Sequence, residues 1–220
     1  MTQSDLETFS EKMRQSAGST DSGDDEQWKL ETIENVCIIN PDSINDSSFT
    51  HSEIQYVEIS NSGDGYIKGL EEYKIEEAPS RAKRTVSEGY SVISTVRPKR
   101  EHYVFIESPP ENLVVSTGFA VLYPENPDEL LPEYLYYAVT HPVFIDYLDA
   151  NATGSAYPAV NLDIIKKGVI AVPDMETQKN IVDTLGVFDS KIKQNITEIK
   201  KLRELRNILI PEFLPPEKME

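Results

Sequence analysis

The chain contains few of the residues that build cysteine- or histidine-based sites. Of its 220 residues, one is a cysteine, Cys37, and three are histidines, His51, His102 and His141, which lie far apart in the sequence. A single cysteine excludes an internal disulfide framework, and no cysteine–histidine spacing indicates a metal site. The sequence therefore predicts neither a metal centre nor a histidine-based catalytic triad.

Long apolar runs and catalytic motifs are also absent. No run approaches the ~20 residues of a membrane-spanning helix, and the polar N-terminus has no signal-peptide pattern. There is no phosphate-binding glycine loop, nucleophile elbow, or methyltransferase or nuclease carboxylate motif. Acid pairs such as Glu71-Glu72 are typical of a solvated surface in a chain with 38 acidic residues. We therefore expect a cytoplasmic protein that has no catalytic activity of its own.

Positive charge is scarce and concentrated. The formal net charge is −17, and residues 104–165 carry no lysine or arginine at all, whereas residues 80–103 carry six cations and only two acids. Such an island in an acidic chain predicts a polyanion-binding surface, and the remaining acidity is typical of a halophilic-type surface. Arginine suits phosphates and guanine edges, and lysine suits phosphates. The six cations are Arg81, Lys83, Arg84, Arg97, Lys99 and Arg100. The alternative is that they only neutralise nearby acids.

Hydroxyl groups and a small-residue loop add weaker candidates for phosphate contacts. Ser94 and Thr95 precede the cations Arg97, Lys99 and Arg100. Hydroxyl donors at such positions reach phosphate oxygens in many protein–DNA complexes. Gly154 and Ser155 lie in a loop of small residues, residues 151–158. That loop either brings backbone amides near a phosphate or serves as a compact hinge, and composition alone favours the hinge.

Apolar residues near the C-terminus recur every three or four positions between Pro173 and Pro211. This period predicts one long amphipathic helix. Read as heptads, it has a seam with two polar positions, Asn195 and Arg206, and a buried Asn in such a seam usually fixes register. The helix either packs on its own domain or pairs with a partner helix, which the length of the seam favours. The predicted helix–helix contacts are Leu185, Phe188, Ile192, Asn195, Ile199 and Leu202.

The pattern along the chain predicts four regions and an α+β fold. Residues 1–27 are predicted to be a disordered acidic tail, 28–173 an α+β domain that contains the basic island, 174–212 the long helix and 213–220 a C-terminal tail. We expect the domain to contain a curved, mostly antiparallel sheet with short helices. Predicted strands are 36–39, 55–59, 91–95, 103–106, 113–115 and 118–123; predicted helices are 132–140 and 142–150, and residues 160–172 predict a short helix followed by a buried strand.

Four segments of the sequence resemble one known family. They are Thr153-Gly-Ser-Ala-Tyr-Pro-Ala-Val-Asn161, Ile170-Ala-Val-Pro-Asp-Met-Glu-Thr-Gln-Lys-Asn-Ile-Val182, Phe188-Asp-Ser-Lys-Ile-Lys-Gln-Asn195 and Leu202-Arg-Glu-Leu205. Together they are similar to the C-terminal half of one repeat of a type I restriction-modification specificity subunit, with Pro-Asp here in place of the family's Pro-Pro. The basic segments 79–84 and 92–98 resemble the DNA-facing strands of the same recognition domains.

The resemblance implies a non-catalytic subunit in which residues 28–173 form a DNA-binding target recognition domain and residues 174–212 form the spacer helix. Such a domain reads one half of a bipartite double-stranded DNA target. The resemblance also implies docking to modification (methyltransferase) subunits, with a restriction subunit as a further partner, and S-adenosylmethionine, ATP and Mg held by those partners. The family usually has two recognition domains and two antiparallel helices, whereas this chain has one of each. We therefore expect a half-subunit that forms a homodimer or pairs with a second half-subunit, or else a truncated product. The alternative function is a scaffold that pairs through its helix without binding DNA.

Overall fold

The computed structural model of the chain describes residues 28–63 and 65–214. The tail predicted at 1–27 lies outside this part, as do residue 64 and residues 215–220 of the tail predicted at 213–220, whose first residue, Phe213, belongs to the last helix. The chain divides into two compact units, Met1–Lys179 and Asn180–Glu220. The strands are β1 Lys29–Thr32, β2 Cys37–Ile39, β3 Glu53–Val57, β4 Ser62–Gly63, β5 Tyr66–Ile67, β6 Glu71–Lys74, β7 Ala82–Thr85, β8 Ser91–Ser94, β9 Tyr103–Phe105, β10 Leu113–Ser116, β11 Phe119–Pro124 and β12 Val169–Val172. The helices are α1 Ile33–Val36, α2 Pro132–Thr140, α3 Pro142–Ala150, α4 Leu162–Lys167 and α5 Met175–Phe213.

The first unit is built on two four-stranded sheets, with strand orders β6-β3-β10-β7 and β2-β11-β8-β9. Their ladders are antiparallel except for the pair β3–β10, which is parallel. Two short antiparallel pairs, β1–β12 and β4–β5, complete the strands. The predicted α+β class is therefore confirmed, although the single curved sheet that the sequence suggested is divided among four smaller ones.

The core of this unit lies where the two large sheets meet. Val57, Leu113 and Val115 from the first sheet cluster with Val92 and Phe119 from the second, and all five are buried. Leu113 and Val115 alternate along β10, and Val114 between them is buried in a second apolar cluster on the other face of the first sheet, with Ile54, Tyr56 and Ala82. The neighbouring helix α2 packs against β8, β9 and β11 and buries an apolar face of its own.

Proline positions explain why two helices begin where the sequence predicted. Pro132 and Pro142 occupy the first turns of α2 and α3, where a missing N–H costs nothing and the fixed φ suits the helix. The strands predicted at 36–39, 55–59, 91–95, 103–106, 113–115 and 118–123 are all present, with ends shifted by at most two residues. Strand β7 was not predicted, because only Ala82 in it is apolar among charged and polar neighbours.

The second unit is the main part of helix α5, which contains 39 residues from Met175 to Phe213. Asp174 caps its N-terminus, since its Oδ1 accepts hydrogen bonds from the backbone N–H groups of Glu176 at 2.8 Å and Thr177 at 2.9 Å. The long helix is confirmed, and it continues through Pro211, which lies in its last turn. At ~1.5 Å per residue its length is about 58 Å. No helix in the described part of the chain is long and apolar enough to cross a membrane.

Candidate nucleic-acid interface

A tight turn between β10 and β11 brings the two basic segments together. The carbonyl of Arg81 accepts a hydrogen bond from the N–H of Thr117 at 2.8 Å, and the N–H of Thr95 donates to the carbonyl of Gly118 at 2.9 Å. Glycine suits position 118 because a Cβ there would lie 2.5 Å from Cδ1 of Ile59. The first and second basic segments, which residues 85–91 separate in the sequence, therefore flank the same two-residue turn.

Arg97 connects the second basic segment to the small-residue loop. Its backbone N–H donates to the carbonyl of Pro158 at 2.7 Å, and its Nη2 donates to the carbonyl of Ala156 at 2.7 Å. The guanidinium carbon lies 4.4 Å from the centre of the Tyr157 ring, which is a cation–π contact. Arg97 adopts a left-handed backbone with φ of 49°, an uncommon conformation for a residue other than glycine. Several contacts thus hold this arginine in one position.

The loop beneath Arg97 is closed at its base by a pair of hydrogen bonds. The N–H of Thr153 donates to the carbonyl of Ala159 and the reverse bond also forms, both at 2.9 Å. Gly154 has φ of +101°, which favours glycine at this turn. Tyr157 at its far side is 71% exposed. The predicted loop residues Gly154 and Ser155 therefore lie beside Arg97, and Tyr157 is a neighbour that the sequence analysis did not single out.

The turn that follows the second basic segment is anchored to α3. Lys99 lies in a 3-10 turn, Pro98–Arg100, and its Nζ is 3.3 Å from Oδ1 of Asp146 and 3.4 Å from Oδ2 of Asp149. The hydrogen bond to Asp146 and the charges of both aspartates raise the pKa of Lys99. Lys99 thus neutralises acids of its own domain, which is the alternative role stated above for the cations of the basic island. Arg100 in the same turn is exposed.

The first basic segment is only partly available to a ligand. Arg81 is exposed, whereas Lys83 and Arg84 lie half-buried in β7. Burial lowers the pKa of the Arg84 guanidinium, and its buried Nη1 has no hydrogen-bond partner among the described residues. Of the two arginines in this segment, Arg81 is the one that presents its side chain to solvent.

The predicted hydroxyl donors are used inside the fold. Ser94 is buried, and its hydroxyl donates to the carbonyl of Val96 at 2.8 Å. Thr95 Oγ1 donates to the carbonyl of Gly118 at 2.8 Å. These side chains stabilise the strand end that carries Arg97, and a phosphate contact from either would have to compete with those bonds.

The predicted helix seam is exposed along α5. Phe188 is 63% exposed and Leu202 is 57% exposed, and Leu185, Ile192 and Ile199 are exposed as well. Asn195 is exposed and has no hydrogen-bond partner in the part of the chain that the structure describes. Within its own unit the apolar face of α5 is therefore uncovered.

Other sites are few in the described ranges. No group of three or more His, Cys, Asp or Glu side chains among those residues is placed to hold a metal ion. An open cavity of about 550 Å³ lies beside the first residues of α5, and its lining includes Glu31, Glu125, Asp128 and Glu129. Its acidic lining makes it a poor site for a phosphate.

Comparison with known proteins identifies the same family that the sequence resembles. Over 181 residues, 26% are identical to the specificity subunit of the type I restriction enzyme HindI of Haemophilus influenzae; that match covers 81% of this chain and 35% of the relative. The solved HsdS subunit from Thermoanaerobacter tengcongensis superposes with a TM-score of 0.62 at 22% identity, covering 84% of this chain and 48% of that one. The S subunit from M. genitalium gives 0.57 at 16% identity, covering 86% and 46%.

The chain thus spans about a third of the curated relative and about half of each solved structure. Residues 25–204 match the family described as "Type I restriction modification DNA specificity domain". Because this match includes most of the chain, the protein belongs to the family of type I restriction-modification DNA specificity domains.

Proposed function

We propose that this chain reads one half of a bipartite DNA target for a type I restriction-modification complex and has no catalytic activity itself. Family membership supports this role, and so does the concentration of cations in residues 80–103 of an otherwise acidic chain. Electrostatic attraction to the phosphates then favours this part of the recognition domain, because residues 31–79 and 104–165 carry many acids and only two cations and therefore repel DNA.

The single observation that carries the proposal is the Arg97–Tyr157 stack on the closed loop. A guanidinium has five N–H donors, and the Ala156 contact uses one of them. The remaining donors are free for phosphate oxygens or a guanine edge, and the exposed Tyr157 ring offers a face for a sugar or base. Since the arginine is already held in place, little side-chain entropy is lost on binding.

We propose that Arg81, Arg97 and Arg100 make the main contacts, with Lys83, Gly154 and Ser155 contributing. In this proposal Arg84, Ser94, Thr95 and Lys99 act mainly by holding the surface in shape, because their polar groups are buried or already bonded to the protein. Modification subunits, with a restriction subunit where one is present, are the proposed protein partners. S-adenosylmethionine, ATP and Mg would belong to those partners.

Substitution of Arg97 tests the proposal, provided that the replacement keeps the left-handed turn. Arg97→Asn removes the guanidinium, and asparagine tolerates positive φ better than alanine does. Binding to a mixed-sequence duplex is measured by fluorescence anisotropy across a salt series. A phosphate contact predicts weaker binding to every sequence and a salt slope reduced by about one, whereas a base contact predicts relaxed specificity at one position of a selected target.

A matched control removes one positive charge elsewhere. Lys74→Asn, on the exposed edge strand β6, changes the net charge by the same amount outside the island. It is expected to reduce affinity far less than Arg97→Asn. If both variants bind the duplex with the same affinity as the wild type, Arg97 does not contact the DNA.

The uncovered face of α5 supports a second candidate, a scaffold that pairs through this helix and does not bind DNA. Both functions predict self-association through the predicted seam. They differ in the anisotropy experiment, since a scaffold with net charge −17 gives no salt-dependent binding to the duplex.

A further inference from the structure

The seam of α5 contains two polar residues, and their spacing restricts how a second copy can pair with it. Asn195 and Arg206 are both exposed, and eleven positions separate them. The Arg206 guanidinium donates to Oδ1 of Asn207 at 3.1 Å, which leaves most of its N–H donors available. A paired helix would bury both groups at the seam, where each needs a hydrogen-bond partner.

An antiparallel pair in one register satisfies both groups together. In antiparallel coiled coils the two kinds of seam position face each other, so each a residue lies opposite a d residue of the partner. When Ile199 lies opposite Leu202 of the second copy, Asn195 lies opposite Arg206, and the two-fold symmetry repeats the contact. The same register places Ile192 opposite Leu209.

This register also aligns the ends of the pair. Phe188 then lies opposite Phe213 of the second copy, and both side chains are exposed in the single chain, at 63% and 76%. Beside the seam, Lys191 lies opposite Glu212, so the flanking charges are opposite in sign. Such a rim pair contributes little energy but disfavours other registers.

Neighbouring arrangements leave a polar group unsatisfied. A shift by one heptad places Asn195 opposite Ile199 and Arg206 opposite Phe188, so the amide meets only apolar atoms. A parallel pair places Asn195 against its own copy, which is favourable, but it also places two Arg206 guanidinium groups in one layer. Like charges held together at a buried layer are strongly unfavourable.

Antiparallel pairing with a second helix is what the family resemblance implies. For a second copy of this chain on the apolar face of α5, we propose the register that places Asn195 of each copy against Arg206 of the other. This proposal rests on the self-pairing in the proposed function and specifies the geometry of that pairing. The amide oxygen of Asn195 accepts hydrogen bonds from the guanidinium, so the two polar positions select one register. The overlap runs over about 26 residues, or ~39 Å of helix.

A charge test distinguishes this register from the others. In Asn195→Glu, the new carboxylate faces Arg206 in the proposed pair, so the dimer is expected to be at least as tight as the wild type. In any parallel pair, the carboxylate faces its own copy and the dimer weakens. In the double variant N195E/R206E two carboxylates face each other, and the dissociation constant is expected to rise roughly tenfold or more. Sedimentation across a concentration series measures all three proteins, and circular dichroism checks that each helix is intact.

Disulfide trapping measures the register directly. The double variant I192C/L209C is expected to form a covalent dimer on mild oxidation, because its cysteines face each other in the proposed pair. Within one chain these positions lie ~26 Å apart along the helix, so they cannot join intramolecularly. The matched control L185C/L209C places the cysteines opposite each other only in the register shifted by one heptad. Cys37 is buried and is therefore not expected to form a disulfide in either variant.

Each outcome has a defined meaning. A covalent dimer from I192C/L209C alone supports the proposal. Efficient trapping of L185C/L209C, or of the single variant I192C, which only a parallel pair joins, overturns the register while leaving self-pairing intact. A wild-type chain that stays monomeric at every concentration overturns the self-pairing itself, and DNA binding, measured separately, still decides the recognition function.

Discussion

Gln178 is the buried polar residue through which the first turn of α5 is tied to its own domain. Its side chain is 0% exposed. Its Oε1 accepts a hydrogen bond from the N–H of Leu131 at 2.9 Å, and its Nε2 donates to the carbonyls of Glu129 at 2.8 Å and Pro173 at 2.9 Å. The amide therefore satisfies three backbone groups at the start of α2 and α5.

Replacing Gln178 by leucine keeps a similar volume and removes all three hydrogen bonds. Each buried backbone group left without a partner costs on the order of 1–3 kcal/mol, and partial entry of water reduces the total. We expect the free energy of unfolding to fall by about 2–4 kcal/mol. Urea unfolding followed by the fluorescence of Trp28, the single tryptophan and a buried one, measures this change. The matched control Gln194→Leu lies on the exposed surface of α5, where the change is expected to be within about 0.5 kcal/mol.

Replacing Gln178 by glutamate adds a pH-dependent test. The charged carboxylate would face two carbonyl oxygens, so folding favours its protonated form and raises its pKa above the ordinary value of about 4.3. Relative to the wild type, this variant is then destabilised least below pH 4, and the destabilisation grows as the pH rises through the raised pKa. The reasoning is refuted if Gln178→Leu changes the stability as little as Gln194→Leu does, or if Gln178→Glu shows no extra loss between pH 4 and pH 8.

Two further predictions concern packing and alkaline pH. Gly168→Ala would place a Cβ 2.6 Å from Cε2 of Phe144 and is expected to lower the free energy of unfolding by about 1–3 kcal/mol. In contrast, a Cβ at Gly186 on α5 meets nothing within 4 Å, so Gly186→Ala is expected to stabilise the helix by about 0.5–1 kcal/mol. Thermal unfolding of both variants checks this contrast, and equal effects would contradict it. Burial, with a smaller contribution from the charge of Glu125, raises the pKa of the Cys37 thiol to about 12. Because the thiol of the unfolded chain ionises near pH 8.5, the stabilisation by the buried neutral thiol is complete below that pH and is lost at about 1.4 kcal/mol per pH unit above it. In urea unfolding between pH 8 and pH 10.5, the stability of Cys37→Ala is therefore expected to decline less than that of the wild type.

Local chemistry determined the elements that the sequence predicted well. Pro132 and Pro142 mark helix starts, and the apolar period of α5 runs from Ile181 to Leu209, about eight turns, so few competing structures exist. Strand β7 was missed because its stability comes from pairing with β10 and not from its own composition. The division into several small sheets also depends on pairings between distant segments, including the parallel pair β3–β10, which no local pattern specifies.

The candidate surface was predicted by charge and only partly by position. Arg97 is held over Tyr157, whereas Lys99 is bound to Asp146 and Asp149. A count of cations does not distinguish these two roles, because each partner lies about 50 residues or more along the chain from the cation that it contacts. The burial of Gln178 was missed for the same reason, since its partners Glu129 and Leu131 come from another segment. The capping role of Asp174, by contrast, involves only neighbours in sequence, so a local pattern is enough to specify it.

The uneven distribution of lysine and arginine also determines where trypsin can cut the folded chain. Between Arg100 and Lys166 there is no cleavage site, and that interval contains β9, β10, β11, α2 and α3. The available sites concentrate in the basic segments and along α5, the two surfaces that the proposals assign to DNA and to a second copy. Brief digestion of the native protein is therefore a footprinting assay without any engineered label: bound DNA would slow cleavage in the basic segments, and helix pairing would slow it along α5.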